Sequence, residues 1–401
     1  MKTKGTYFQN SKDKPIIYGE IEIYNNSSKR LRGEPLQDGI KSKTVLTGFC
    51  GTDFELMHMG MRGELLPKFP AGLNRLINGH EGVVFIPSEN RFAIVLIRGG
   101  DSYDPTRYMD DETYFEYGCD QADGIMCYEN FYNPDMLLHI PDKYIENGKI
   151  PLSIAKKLCF SDPYACMIFQ LERMEDLGSA QNFRVELARN KCTQEEARKL
   201  AMKNIFNKVV IFGLGTTGMF IGDLIHRKYP DAKILFVARS SADTNKVKYA
   251  LKKTNGIYVE SKFNTNKELA DCIKEKLNGK ATAFIGVSGS NLEHKIAFEE
   301  DVLGNNGIYN SFSLGPVMDF KTMPFGFKNH LIFGSINFRQ DHMEKAIELL
   351  CESDYDKVVE LIDLEEVKRD PKSAYENKIY CKAAPMKTAA IWDYNYIDMD
   401  K

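Results

Sequence analysis

Three groups of residues in this chain have the types and spacing that chemistry needs. The first is Gly213-Leu214-Gly215-Thr216-Thr217-Gly218, a G-x-G-x-x-G run directly after the apolar stretch Val209 to Phe212. The first glycine of such a run permits a tight turn, and the second lets backbone approach a pyrophosphate. The third lets helix and strand pack closely, with the helix N-terminus facing the anion. A helix-period segment follows, with Met219, Phe220, Leu224 and Ile225 spaced to face a sheet, and then a second apolar run, Ile234 to Ala238. In this strand, turn, helix, strand order the motif reads as a dinucleotide site, with Thr216 and Thr217 inside it; without that order it would be an ordinary glycine turn.

The residues after the second strand select the nucleotide. An NAD site places Asp or Glu about 20 residues on, to accept hydrogen bonds from the ribose 2′-hydroxyl. Here Arg239, Ser240 and Ser241 occupy that place, and no acid follows until Asp243. An arginine with two hydroxyls suits a 2′-phosphate, and Lys246 adds a second positive charge. The reading is NADP(H); the bland alternative is a solvated loop arginine.

The second and third groups are Cys50-Gly51-Thr52-Asp53 and, thirty residues later, Asn78-Gly79-His80-Glu81-Gly82. Alone, Cys50 reads as a buried small hydrophobe and the His-Glu pair as a surface turn. Combined with a downstream dinucleotide motif, they read differently. The chain resembles the zinc-dependent medium-chain dehydrogenase/reductase family, and within it the glucose dehydrogenase branch. The shared marks are Cys50-Gly51-Thr52-Asp53, Leu66-Pro67 and Gly79-His80-Glu81, in that order.

That resemblance implies a catalytic Zn²⁺ held by Cys50, His80, Glu81 and Asp162, the last from Asp162-Pro163, where the family has an acid or amide before proline. Thiolate, imidazole and carboxylate are all competent zinc ligands. It implies that Thr52, beside Cys50 and His80 in the catalytic set, hydrogen-bonds the reacting oxygen. Glu116, seven residues before Asp123-Gly124, falls where the branch binds sugar hydroxyls; its bland reading is a solvated loop glutamate. Asn337, in Gly334-Ser335-Ile336-Asn337, matches a position beside the nicotinamide and the sugar, and Ser288 ends a strand on the same cofactor edge.

Two departures stand beside the match. Many members carry a structural zinc on four closely spaced cysteines, but residues 99–118 contain none and Cys119 and Cys127 cannot complete such a site. One zinc is therefore expected, with no structural zinc. The branch's sugar-holding asparagine falls near Ile97-Arg98, so Arg98 becomes a substrate candidate that would meet an anion. The absent lobe and Asp123-Gly124-Ile125-Met126 are also similar to pentulose-phosphate reductases that form alditol phosphates; Arg98 or Arg107 would then contact the phosphate.

The elements that must position these residues follow from pattern. Short strands such as 18–24 and 43–48, separated by Gly-, Pro- and Asn-containing turns, continue to about residue 145. Residues 171–206 are helical in pattern, with a capping box at Thr193 and Glu196. Strands then alternate with helices through Gly256–Glu260, Ala281–Val287, Gly307–Ser311 and Leu331–Ser335. Residues 341–362 have a helical period and 376–393 a strand-like composition. The expected fold is α/β, a Rossmann doubly wound parallel sheet domain plus a β-rich GroES-like catalytic domain. Residues 1–170 form the catalytic domain, 171–337 the NADP-binding domain, and 338–401 the return to the catalytic domain.

Composition bounds the rest. The 401 residues, 43% hydrophobic and 27% charged with a net charge of −3, fit a soluble globular protein of two domains. That charge gives no case for nucleic acid or an anionic membrane surface, and no apolar run approaches a membrane span. Nine scattered cysteines read as reduced, and the N-terminus lacks the apolar stretch of a signal peptide, so a cytoplasmic protein is expected. A homo-oligomer, dimer or tetramer, is the family default. The overall expectation is hydride transfer between NADP(H) and a sugar or polyol, against two alternatives: the alditol-phosphate-forming reductase, and a zinc-free NADP(H)-binding sensor or structural protein.

Overall fold

The computed structural model describes the chain except residues 12, 25–38, 59–66, 71, 101–102, 107–112, 313–321, 381–384 and 400–401, and the side chains of 322 and 324. Leu66 and Arg107 lie outside the described residues. The chain divides into two compact units, Met1–Ala165 with Phe338–Lys401, and Cys166–Asn337. The division falls inside one helix, Ser161–Asn190, five residues before position 170.

The second unit is a six-stranded parallel sheet. Its spatial order is Ile257–Glu260, Lys233–Ala238, Lys208–Phe212, Ala281–Gly286, Leu303–Ser311, Leu331–Gly334. The chain starts in the middle, winds one way and then the other, which is the Rossmann order. The strands are apolar on both faces because helices cover both: Val210, Leu235, Val237 and Phe284 pack against Leu269, Ile273 and Leu277 of the helix Asn266–Leu277. Reversal occurs between Lys208–Phe212 and Ala281–Gly286, so a crevice opens where Gly213 and Val287 leave the sheet. The helix Gln194–Ile205 begins with the Thr193–Glu196 capping box read from the sequence.

The first unit is β-rich. Its main sheet runs Leu137–His139, Arg91–Val95, Glu81–Ile86, Ile40–Gly48, Lys387–Ile391, Val359–Leu361, with Glu129–Tyr132 also paired to Ile40–Gly48. The strand Lys387–Ile391 therefore returns from the far end of the sequence to lie beside Ile40–Gly48. A core of Phe8, Phe49, Leu56, Leu76, Met126, Tyr375 and Trp392 fills the space beside it.

Two stretches differ from their sequence patterns. In 341–362 the helix is Gln340–Cys351 only, followed by a tight turn and the strand Val359–Leu361. Ser353 stops it: its hydroxyl donates to Leu350 O and accepts from Tyr355 N, replacing the helical bonds. Among the described residues of 376–393, only Lys387–Ile391 is a strand, and Tyr375–Ile379 is a wide helical turn. Asp370 caps Pro371–Ala374 through Ser373 N, and that Asp-Pro start carries the chain onward in helical form.

Candidate functional site

In the β-rich unit, Cys50 is the N-cap of the short helix Gly51–Met57, and His80 and Glu81 open the strand Glu81–Ile86. One atom each of Cys50, His80 and Glu81 come together within 4.8 Å of one another, and this is the one such group of metal-ligating side chains among the described residues. What ties these two segments is Asp53. Its carboxylate accepts from Cys50 N and from Gly79 N, both at 3.1 Å, while itself fully buried. Burial pushes its carboxyl upward, against the opposing pull of His80. Thr52 sits in the first turn, its hydroxyl 3.5 Å from the Cys50 sulfur.

Glu81 is 1% exposed, so its charge requires a partner. Lys387 supplies it: its ammonium contacts Glu81 Oε2 and donates to Phe49 O at 3.3 Å. Burial pulls this lysine down, but the Glu81 carboxylate outweighs it and holds the ammonium charged. The other oxygen, Oε1, is buried with no hydrogen-bond partner. An orphaned carboxylate oxygen beside a thiol and an imidazole is the donor set a zinc ion satisfies, so the residues fit the metal. Cys119 lies 3.4 Å from His80 Nδ1, which leaves the second ring nitrogen as the ligand atom; burial pushes this thiol up to about 12, so it stays protonated.

Asp162 is not part of that cluster. It pairs with Arg98, whose Nη1 lies 2.6 Å from Asp162 Oδ1. The other arm of Arg98 reaches Glu116 Oε1 at 2.9 Å, and the guanidinium lies over Phe338 at 5.3 Å. Tyr114 donates to the second Glu116 oxygen at 2.9 Å. Burial and then the Glu116 charge push the Tyr114 phenol far up, so it remains a donor. The buried Arg98 charge is thus balanced by two carboxylates of its own chain.

In the nucleotide unit, Gly213 has φ +120°, a conformation that favours glycine, and a Cβ on Gly218 would collide with the Gly213 carbonyl. Gly215 is the N-cap of the helix Thr216–Lys228, with no side chain capping it and nothing within 4 Å of a Cβ built there. A helix start on glycine with no side-chain cap is a fit for a pyrophosphate. Past the strand Lys233–Ala238, Arg239 is exposed and Lys246 half-buried. Burial and then the Arg239 charge lower the Lys246 pKa, as for two cations awaiting an anion. Of the two serines, Ser240 accepts from Tyr258 through its carbonyl and Ser241 Oγ accepts from Asp243 N.

Ser288 has a partner already: its amide donates to buried Glu293 at 2.6 Å, and its hydroxyl contacts the same oxygen. Asn337 is fully buried with neither amide atom hydrogen-bonded, and so is Asn310 near the carboxyl end of its strand. Two orphaned amides in this unit match a polar ligand that supplies both donors and acceptors.

Sequence reasoning missed four residues. Asp53 was inside a quoted motif, and its signal was the helix-capping position three residues after Cys50. Lys387, Cys119 and Tyr114 had no local signal, since each reaches its partner through tertiary folding.

No protein-family model matches the sequence, and no curated protein does. Solved structures do match in fold along nearly the whole chain. Glucose dehydrogenase of Haloferax mediterranei, in complex with NADP, Zn and gluconolactone, superposes with a TM-score of 0.68 at 16% identity, covering 97% of this chain and 99% of that one. The 2R,3R-butanediol dehydrogenase of Bacillus subtilis gives 0.68 at 18%, over 98% and 100%. L-idonate 5-dehydrogenase of Escherichia coli gives 0.64 at 16%, over 98% and 99%. The chain has the two-part fold of these medium-chain dehydrogenases, a Rossmann sheet with a β-rich partner unit.

Proposed function

We propose that this chain is a zinc- and NADP(H)-dependent oxidoreductase that interconverts a hydroxyl of a neutral sugar or polyol with the corresponding carbonyl. The observation that carries the reading is the Cys50–His80–Glu81 cluster, its histidine and glutamate buried, with its orphaned Glu81 oxygen. Its support in the other unit is the glycine turn with Arg239 and Lys246 beyond it.

Cys50, His80 and Glu81 would hold the metal. When bound, zinc supplies Lewis acidity toward an alcohol or carbonyl oxygen, and NADP(H) supplies or accepts the hydride. The chain's own residues do the rest. Asp53 fixes the two ligand-bearing segments through Cys50 N and Gly79 N. Lys387 pairs with Glu81 and orients it. The Thr52 hydroxyl orients the substrate oxygen and passes on its proton, replacing the one it gives; a threonine cannot be the final base. Glu55, on the same helix, and His58, its C-cap, are the candidate acceptors, and His58 Nε2 stands 3.8 Å from Glu376. Asn337 would give its unpaired amide to cofactor or substrate. Gly213, Gly215, Thr216, Thr217 and Gly218 would cradle the pyrophosphate, and Arg239 with Lys246 the 2′-phosphate.

Arg98 favours the neutral-substrate reading. A phosphate anchor would have to draw it from Asp162 and Glu116, whereas a neutral hydroxyl needs only the remaining lone pairs of Glu116. A screen of aldoses, polyols and their phosphates with NADP⁺ and NADPH tests the proposal. Turnover of neutral polyols with NADP⁺ is the expected result; turnover of phosphate esters alone would favour the alditol-phosphate reductase. No turnover, with no zinc in the purified protein, would leave the nucleotide-binding sensor.

A further inference from the structure

We propose that buried Glu293 is a positioning residue that sets the loop 287–290 against the glycine turn before NADP(H) binds; this rests on the nucleotide reading above. Glu293 is 1% exposed and lies just past that loop, so its side chain folds back over the residues before it. Oε1 accepts from Ser288 N at 2.6 Å and contacts the Ser288 hydroxyl, while Tyr309 donates to Oε2 at 3.3 Å. Ser288 Oγ in turn accepts from Ser290 N at 3.3 Å. Tyr309 is itself fixed, its ring stacked on Phe284 at 5.5 Å in the core of the sheet. A Cβ on Gly286 would strike Glu293 Oε2, so the strand Ala281–Gly286 ends on the residue that leaves room for the carboxylate.

The loop stands in the crevice, against the glycine motif. Val287 N donates to Phe212 O at 3.0 Å, and a Cβ built on Gly213 would lie 3.0 Å from Ser288 N. A Cβ on Gly218 would be 3.3 Å from Val287 Cγ2. A dinucleotide spans the point where strand order reverses, one half on each side. Arg239 and Lys246 follow the strand Lys233–Ala238 on one side of Lys208–Phe212, and the loop follows Ala281–Gly286 on the other. The 2′-phosphate end therefore lies away from the loop, and the turn and the nicotinamide half lie beside it. With its amide and hydroxyl both turned to Glu293, Ser288 serves the cofactor through the path of its backbone and not through its side chain. Without the carboxylate, the Ser288 amide loses its acceptor and the loop its anchor. Ordering the loop then falls to the cofactor, which weakens binding.

The test uses the full-length protein without substrate. NADPH affinity is read by fluorescence titration, and that of adenosine 2′-monophosphate, which carries only the 2′-phosphate end, by calorimetry. Glu293→Met keeps length and volume but offers no acceptor, and should weaken NADPH by about tenfold while leaving adenosine 2′-monophosphate at its wild-type value. Glu293→Gln keeps an acceptor for Ser288 and should restore NADPH binding. The proposal is overturned if Glu293→Met binds NADPH as wild type does, if both ligands weaken together, or if Glu293→Gln is as weak as Glu293→Met. If Glu293→Met does not fold, amide exchange in the unaltered protein decides. Slow exchange at Ser288 without NADPH supports the proposal, and exchange at the rate of an unstructured peptide overturns it. An unaltered protein that binds no NADPH would sink the nucleotide reading itself, and that outcome is seen before any variant is made.

Discussion

The nucleotide site and the metal cluster are built in opposite ways. The first is one run of chain, residues 209–246, whose working parts are backbone amides at a glycine turn and two cations at the surface. The second draws Cys50, His80, Glu81 and Lys387 from separate segments into a place where the buried Glu81–Lys387 pair must balance itself. A site made of backbone and solvent-facing charge tolerates loss of a side chain, at the cost of one contact. A site made of buried, mutually balanced charges does not, because each removal strands its neighbour. The two should therefore fail differently and independently.

The largest effect should come from Cys50→Ser. Loss of the metal removes several kcal/mol of charge stabilisation, so turnover should fall by about a thousandfold or more. NADPH affinity by fluorescence titration should stay at the wild-type value, since no nucleotide contact is proposed in that unit. A parallel loss of NADPH binding would break the claimed independence.

Lys387→Met comes next. It leaves Glu81 buried beside an apolar side chain, and breaking a buried pair in this way costs about 3–5 kcal/mol. Urea unfolding of metal-free protein should show a loss of that size, while Lys387→Arg restores most of it. A change under about 1 kcal/mol would mean that Glu81 is protonated or hydrated instead of paired.

Arg239→Ala is smaller, as a surface contact should be. One charge-assisted bond to the 2′-phosphate is worth about 1.5–3 kcal/mol, so KM for NADP⁺ should rise roughly tenfold to a hundredfold while KM for NAD⁺ hardly moves. Equal use of both nucleotides by the unaltered protein would remove the NADP assignment.

The smallest effect concerns pH. Burial and Arg239 lower the Lys246 pKa below the ordinary lysine value of 10.5. A base with a depressed pKa loses its charge earlier as pH rises, so part of the preference for NADP⁺ should fade below the normal lysine range. Ratios of KM for the two nucleotides from neutral to alkaline pH should show that decline, and Lys246→Ala should flatten it.

The same contrast explains what could be read from the chain. The strand, glycine turn and helix of the proposed nucleotide site were legible because they follow one another in order, each with its own local cause. Cys50, His80 and Glu81 were legible only through resemblance, as nothing in their spacing says they converge. Lys387 was not legible at all: it is 306 residues from Glu81 and meets it because its strand returns beside Ile40–Gly48. Arg98 was recognised as a charge that would be either solvated or matched, and in the structure it pairs with Asp162 and Glu116. That answer depends on a two-residue strand register and a helix start, which no periodicity encodes. The C-terminal stretch 376–379 was misread because strand-like composition hid an Asp-Pro helix start just upstream.

The central claim joins a metal to a nucleotide-coupled alcohol chemistry, and one titration tests it. Protein stripped of metal by chelation is recharged with increasing zinc, and NADP⁺ reduction is followed with the best neutral polyol found in the screen. The account predicts no turnover in stripped protein and a linear recovery that saturates at about one zinc per chain. Full activity without zinc, or saturation that tracks no zinc stoichiometry, would contradict it.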